Sequence, residues 1–348
     1  MCIRDSAMTE IKRRSLLQSF SALAVGSTAL LKTGSLQAAK DEVNQSVLGW
    51  PDMQYQVLGK TGFRGSRLVF GCGAALSAGQ ANNLLEPALE AGINVFDVGY
   101  RNYYKDAEEN LAPFLKKHDD KIFTISKANP EVELEWHEEV DTATAKKAAK
   151  NWSGFLDQSL QELGADHLDA YYIMAGNNVS LIKNDEMYEA FLAAKRAGKV
   201  DHWGVSTHQN AEKLLLAMAE TGRYALAQIA ITPAGWYDWI DKAILDDGKA
   251  MMDLRGVLDT ARDAGIGLIG MKAGRFLAGR RFFGWGNPDA FDENYEDDLM
   301  KARLTAFQRS YAYVLAHGLD AVNADMQSWQ HLRENQYATA QVNRQFFG

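Results

Sequence analysis

The chain has 348 residues, 47% of them hydrophobic, and a formal net charge of -8. That length supports a large core, and the acidic balance excludes a general nucleic-acid binder, which needs a concentrated basic surface against phosphates. Cys2 and Cys72 are the only cysteines, which excludes a disulfide framework, thiolate metal spacing and an iron–sulfur motif; with no His, Asp and Glu clustered at ligand spacing either, no metal is expected.

The opening "MCIRDSA", residues 1–7, fits no part of a signal and reads as non-native, because Met8 begins an ordinary start. Arg13 and Arg14 then stand just before "LLQSFSALAVGSTALL", and "SLQAAK" follows with small residues suited to cleavage. This resembles a twin-arginine export signal, which implies the twin-arginine machinery as a partner in transit and a periplasmic or otherwise exported location. The run is weakly hydrophobic beside the roughly 20 apolar residues that a span needs. The cleavage site near Ala38 or Ala39 is imperfect, so retention as a membrane tether stays open. The expected division is a signal over 1–39, a linker over 40–54 and a single domain over 55–348.

From about residue 66 one pattern recurs: an amphipathic helix, a glycine, then a short apolar run. Its instances are "LEAGINVFD", "LGADHLDAYYIM", "RAGKVDHWGVS", "ETGRYALAQIAI", "DAGIGLIGM" and "LAHGLDAVN". A glycine just past a helix ends it in the left-handed conformation, and the apolar run is too short for anything but a buried strand. Trp152, Phe155, Leu156, Leu160 and Leu163 line one face of such a helix. With "RLVFGCG" and "KIFTISK" there are eight strands separated by helices, which predicts an α/β fold, the closed (β/α)8 TIM barrel. An open doubly wound sheet is the alternative, disfavoured because "FGCGAALSAG" is not a dinucleotide fingerprint opening a helix.

In such a barrel function sits where strands end. Those positions are Cys72 and Gly73, Asp97, Lys127, Met174, Ser206 to His208, Gln228, Met271 and Lys272, and Asn323 to Asp325. Trp236, Tyr237 and Trp239 read either as aromatic substrate walls or as anchors of a helix on the barrel. Residues 280–298, "RRFFGWGNPDAFDENYEDD", are long for a loop and carry Phe282, Phe283 and Trp285, which suits a flap over a ligand or a packed surface segment. Asp97 and Lys127 end consecutive strands and are expected to pair. An ammonium beside a phenol favours phenolate, so a nearby tyrosine is expected to have its pKa lowered and to serve as a proton donor for carbonyl reduction. A salt bridge that merely closes the barrel top fits the pair equally.

The pieces "YQVLGKTGFRGSRLVFGCG", "AGINVFD", "FTISK", "GKVDHWGVSTH", "LAQIAI", "GIGLIGMKAG" and "HLRENQ" together resemble the aldo-keto reductase superfamily from about Tyr55 to Asn335. The resemblance implies a (β/α)8 barrel that binds NADP(H) or NAD(H) and reduces an aldehyde or ketone as its small-molecule substrate, through an Asp, Tyr, Lys and His set. Asp97 and Lys127 match that set. Met174 stands at the aligned His position and offers no hydrogen bond to a carbonyl. The aligned Tyr position holds Asn102, so a one-residue loop shift is expected to bring Tyr103 into the donor role, with Tyr104 next in order.

For the cofactor the resemblance implies Gly73, Ser206, Thr207 and Gln228 around the nicotinamide. It places Met271 where many members stack an aromatic, Lys272 at the pyrophosphate, and Glu334 and Asn335 on the adenine side. Asp325 falls where a base or Gly usually meets the ribose phosphate, and His331 where Arg is common. Arg333 lies close by, yet Asp325 weakens any preference for NADP over NAD. Two departures in the catalytic set leave a second class open: a degenerate barrel that binds a ligand or partner protein. A non-redox lyase or isomerase using Asp97 and Lys127 is a third.

Overall fold

A computed structural model describes residues 46–245, 249–278 and 286–340. The chain opens with an antiparallel hairpin, β1 (Tyr55–Val57) and β2 (Arg64–Ser66). Eight parallel strands follow: β3 (Leu68–Gly71), β4 (Val95–Asp97), β5 (Phe123–Ala128), β6 (Leu168–Met174), β7 (Val200–Thr207), β8 (Leu226–Thr232), then β11 (Gly267–Met271) and β12 (Ala321–Asp325). Each pairs with the next, and β12 pairs with β3, so the sheet closes on itself. This is the expected (β/α)8 barrel.

The helix–glycine–strand pattern has a physical basis in the backbone. Helix Thr142–Leu163 starts with the Asp141 side chain accepting from the Thr144 N–H at 2.7 Å and ends at Gly164 with φ 60°. Its predicted face, Trp152, Leu156, Leu160 and Leu163, is buried in the layer between sheet and helices. The barrel interior is a separate cluster that includes Leu58, Val69, Val95, Phe123, Ile125, Tyr172 and Ile269.

The β1–β2 hairpin seals the end of the barrel where the strands begin. Leu58 is fully buried in the interior cluster, and the Lys60 N–H donates to the Gly265 carbonyl at 2.7 Å. A Cβ at Gly59 would stand 2.2 Å from the Gly267 nitrogen, so the floor tolerates no side chain there. Part of the stretch read as a linker is packed onto the barrel: Met53 is buried, and the Pro51 carbonyl accepts from Gln336 Nε2 at 3.0 Å.

Sequence reasoning missed one element. After β8 the chain does not enter a helix but forms β9 (Gly235–Asp238), antiparallel to β8, and β10 (Ala243–Ile244), antiparallel to β9. The aromatics read as helix anchors therefore belong to a sheet extension. Tyr237 is buried with Ala230 and Met271, and Trp239 lies just beyond β9. Of the long insert, Phe282, Phe283 and Trp285 lie outside the described residues; Phe291 is fully buried near Phe276, and Tyr295 packs on Tyr313. No described helix is long and apolar enough to cross a membrane, and the signal segment lies outside the described residues.

Candidate active site

The strand ends converge on a cavity of about 380 Å³. Among its lining residues are Gly73, Asp97, Tyr103, Tyr104, Lys127, Met174, Ser206, His208, Gln228, Trp239, Met271, Lys272 and Asp325. At its base Asp97 and Lys127 are both buried, with Lys127 Nζ donating to Asp97 Oδ1 at 2.5 Å and to the Val98 carbonyl at 2.7 Å. The other Asp97 oxygen accepts from Asn323 Nδ2 at 2.5 Å and Gln228 Nε2 at 3.3 Å. A buried carboxylate with donors on both oxygens is held in one orientation. The expected Asp–Lys pair is thus formed, and Asn323, one of the strand-end positions named from sequence, is a third partner whose bond to Asp97 the spacing did not reveal.

The tyrosine beside this pair is Tyr104. Its ring centroid lies 5.8 Å from Lys127 Nζ, and its faces fit a slot made by two glycines. A Cβ at Gly73 would come within 2.4 Å of the ring and one at Gly99 within 2.8 Å. Gly73, expected near the nicotinamide, serves the tyrosine. Tyr103 is 52% exposed and meets Tyr104 edge to face at 4.8 Å, at the rim. Asn102 turns to the other side, where its amide donates to Glu131 Oε1 at 2.8 Å; Tyr100 Oη donates to the same oxygen at 3.3 Å. Both bonds pin the short helix Arg101–Tyr104 against the loop after β5, and that helical turn carries Tyr104 into the cavity.

The electrostatics of Tyr104 differ from the expected lowering. Burial first, then the negative charge of Asp97, push its phenol above the ordinary tyrosine value. Lys127 spends its charge on Asp97 and so does not offset this. The phenol is therefore a donor that stays protonated at neutral pH.

The cofactor positions divide. Ser206 Oγ and Gln228 Oε1 are buried and find no protein partner, a hydroxyl donor and a carbonyl acceptor that together fit a primary carboxamide such as that of nicotinamide. Thr207 does not join them: its hydroxyl is engaged with Asn177 Oδ1 of the loop after β6 at 2.8 Å and with the Gln209 carbonyl of its own loop at 2.5 Å. Met271 Sδ accepts weakly from Gln228 Nε2 at 3.8 Å. Lys272, with φ 66°, lies 4.1 Å from the Trp239 ring centroid, and burial lowers its pKa to about 8. Glu334 and Asn335 do not line the cavity. The Glu334 carbonyl accepts from Gln308 Nε2 at 3.2 Å, and Asn335 is buried on helix Trp329–Ala340. Asp325 accepts from Gln327 Nε2 at 3.0 Å, while Arg333 is exposed and stacks on Tyr337 of its own helix. No group of metal-ligating side chains occurs among the described residues.

Sequence and structure comparisons bear on this geometry. The sequence model described as "Aldo/keto reductase family" matches residues 58–321. No curated protein matches the sequence significantly. Among solved structures, a thermostable aldo-keto reductase in complex with the inhibitor epalrestat superimposes with a TM-score of 0.59 at 21% identity, covering 82% of this chain and 94% of that one. An aldo-keto reductase from Bacillus halodurans in its holo form gives 0.57 at 21% identity, covering 82% and 90%. At that identity the likeness speaks for the shared barrel.

Proposed function

The chain belongs to the aldo/keto reductase family, and from that premise we propose that it reduces an aldehyde or ketone with a nicotinamide dinucleotide. The observation that carries this proposal is the buried Asp97–Lys127 pair beside a glycine-framed Tyr104, under the unpartnered Ser206 Oγ and Gln228 Oε1. When bound, the reduced nicotinamide supplies hydride to the carbonyl carbon. As the C=O electron pair moves onto oxygen, Tyr104 Oη releases its proton to that oxygen, which closes the balance for an alcohol product. Lys127 places a positive charge next to the phenolate left behind, and Asp97 keeps that charge buried and oriented. Ser206 and Gln228 would hold the carboxamide, and Lys272 would meet the phosphates as a point charge.

NADPH and NADH are both expected to quench tryptophan fluorescence, because Trp239 lines the cavity, and to raise the melting temperature. Asp325 at the cavity repels a 2′-phosphate, so the advantage of NADPH over NADH stays below about tenfold. Titrating the intrinsic fluorescence with each dinucleotide measures this. No quenching and no thermal shift with either would sink the reading in favour of a barrel that binds another ligand.

Export is a separate proposal that rests on Arg13, Arg14 and the run after them. Replacing both arginines with lysine should keep the protein in the cytoplasm on fractionation; an unaltered periplasmic signal removes the twin-arginine assignment.

A further inference from the structure

A carbonyl oxygen gaining negative charge is best held by two donors, and the cavity supplies few that are free. Lys127 is committed to Asp97 and Val98, while Asn323 and Gln228 each commit their amide nitrogen to Asp97. Met174, also lining the cavity, carries a thioether with no proton to give. His208 lines the same cavity, and its ring forms no hydrogen bond with the described residues.

Resting on the reductase reading, we propose that His208 is a catalytic residue whose imidazole N–H binds the substrate carbonyl oxygen opposite Tyr104. Its position supports this. Met174 ends β6, where it pairs with Ser206 on β7, and His208 follows just past the end of β7. Both side chains line the same cavity, together with Asp97, Tyr104 and Lys127.

Its surroundings fix the role as hydrogen-bond donor. Burial first, then Lys272, Lys127 and Lys242, hold the imidazole neutral with a pKa lowered to about 3, against a small opposing effect of Asp238. A neutral ring keeps one N–H at every pH near neutrality and does not exchange its proton with substrate. Trp239, with ring centroids 6.1 Å apart, backs the imidazole from the β9 side.

The test uses the full mature protein with NADPH and 4-nitrobenzaldehyde as the probe. His208→Phe is expected to lower kcat about 100-fold while leaving dinucleotide affinity within twofold, and the loss should be constant between about pH 5.5 and 8.5 because no titration is removed. His208→Gln retains a donor and should stay within about tenfold of the parent. His208→Phe combined with Met174→His moves the imidazole to the neighbouring strand and should regain at least about tenfold of what the single change lost. Unchanged kcat in His208→Phe overturns the assignment, as does a loss that neither Gln nor the relocated His restores, since that marks packing alone. Absence of any reduction by the parent protein would instead sink the reductase reading, and this assignment with it.

Discussion

Lys127→Met should lower the rate of carbonyl reduction by at least about 10²-fold and toward 10⁴-fold, the range that a positioned acid–base group contributes. The same change should lower the melting temperature, because it leaves Asp97 buried without its cation. Removing one partner of a buried pair costs about 3–5 kcal/mol, and the Asn323 and Gln228 donors keep this case at the lower end. Adding Asp97→Asn to Lys127→Met removes the orphaned charge and should return part of the lost stability with no return of turnover. Thermal melts and single-turnover rates on the parent, the two single variants and the double variant separate the two roles. If turnover recovers along with stability, the pair merely closes the barrel.

Tyr104→Phe is the second large effect: about 10²- to 10⁴-fold in kcat, with dinucleotide binding kept. Tyr103→Phe, at the exposed rim, should stay within about threefold of the parent. The pH dependence has a definite sign. A phenol pushed above its ordinary value remains protonated through neutrality, so kcat should be flat from about pH 6 to pH 9 and fall only at more alkaline pH. A large loss in Tyr103→Phe with none in Tyr104→Phe reverses the assignment, and a break near pH 7 points to a different donor.

The two tyrosines show where local signals stop. All eight barrel strands were legible, because each is a short apolar run behind a helix that ends in glycine, and both features are local. Asp97 and Lys127 were legible for the same reason, since they sit at strand ends. Which tyrosine enters the cavity depends on the bonds of Asn102 and Tyr100 to Glu131, about 30 residues away, and on a single helical turn whose phase counting from Asp97 does not reveal. The engagement of Thr207 was hidden for a related reason: its hydroxyl bonds Asn177, a contact between loops that no spacing encodes. The β9–β10 hairpin had a signal in "TPAGWYD", where Pro233 and Gly235 mark a turn before aromatic residues of high strand propensity. His208 stood among the strand-end positions, yet nothing in the sequence singled it out from its neighbours there.

The sealed floor shapes traffic through the molecule. Leu58 and Gly59 block one end of the barrel, so anything reaching Asp97 arrives and departs through the same opening. For a two-substrate reaction this favours a compulsory sequence in which the dinucleotide seats first and leaves last. Under the export proposal, such a reductase would leave the cytoplasm with its dinucleotide already aboard. Its capacity outside would then rest on whatever recharges that single molecule in place, and steady-state turnover should track the supply of external reductant.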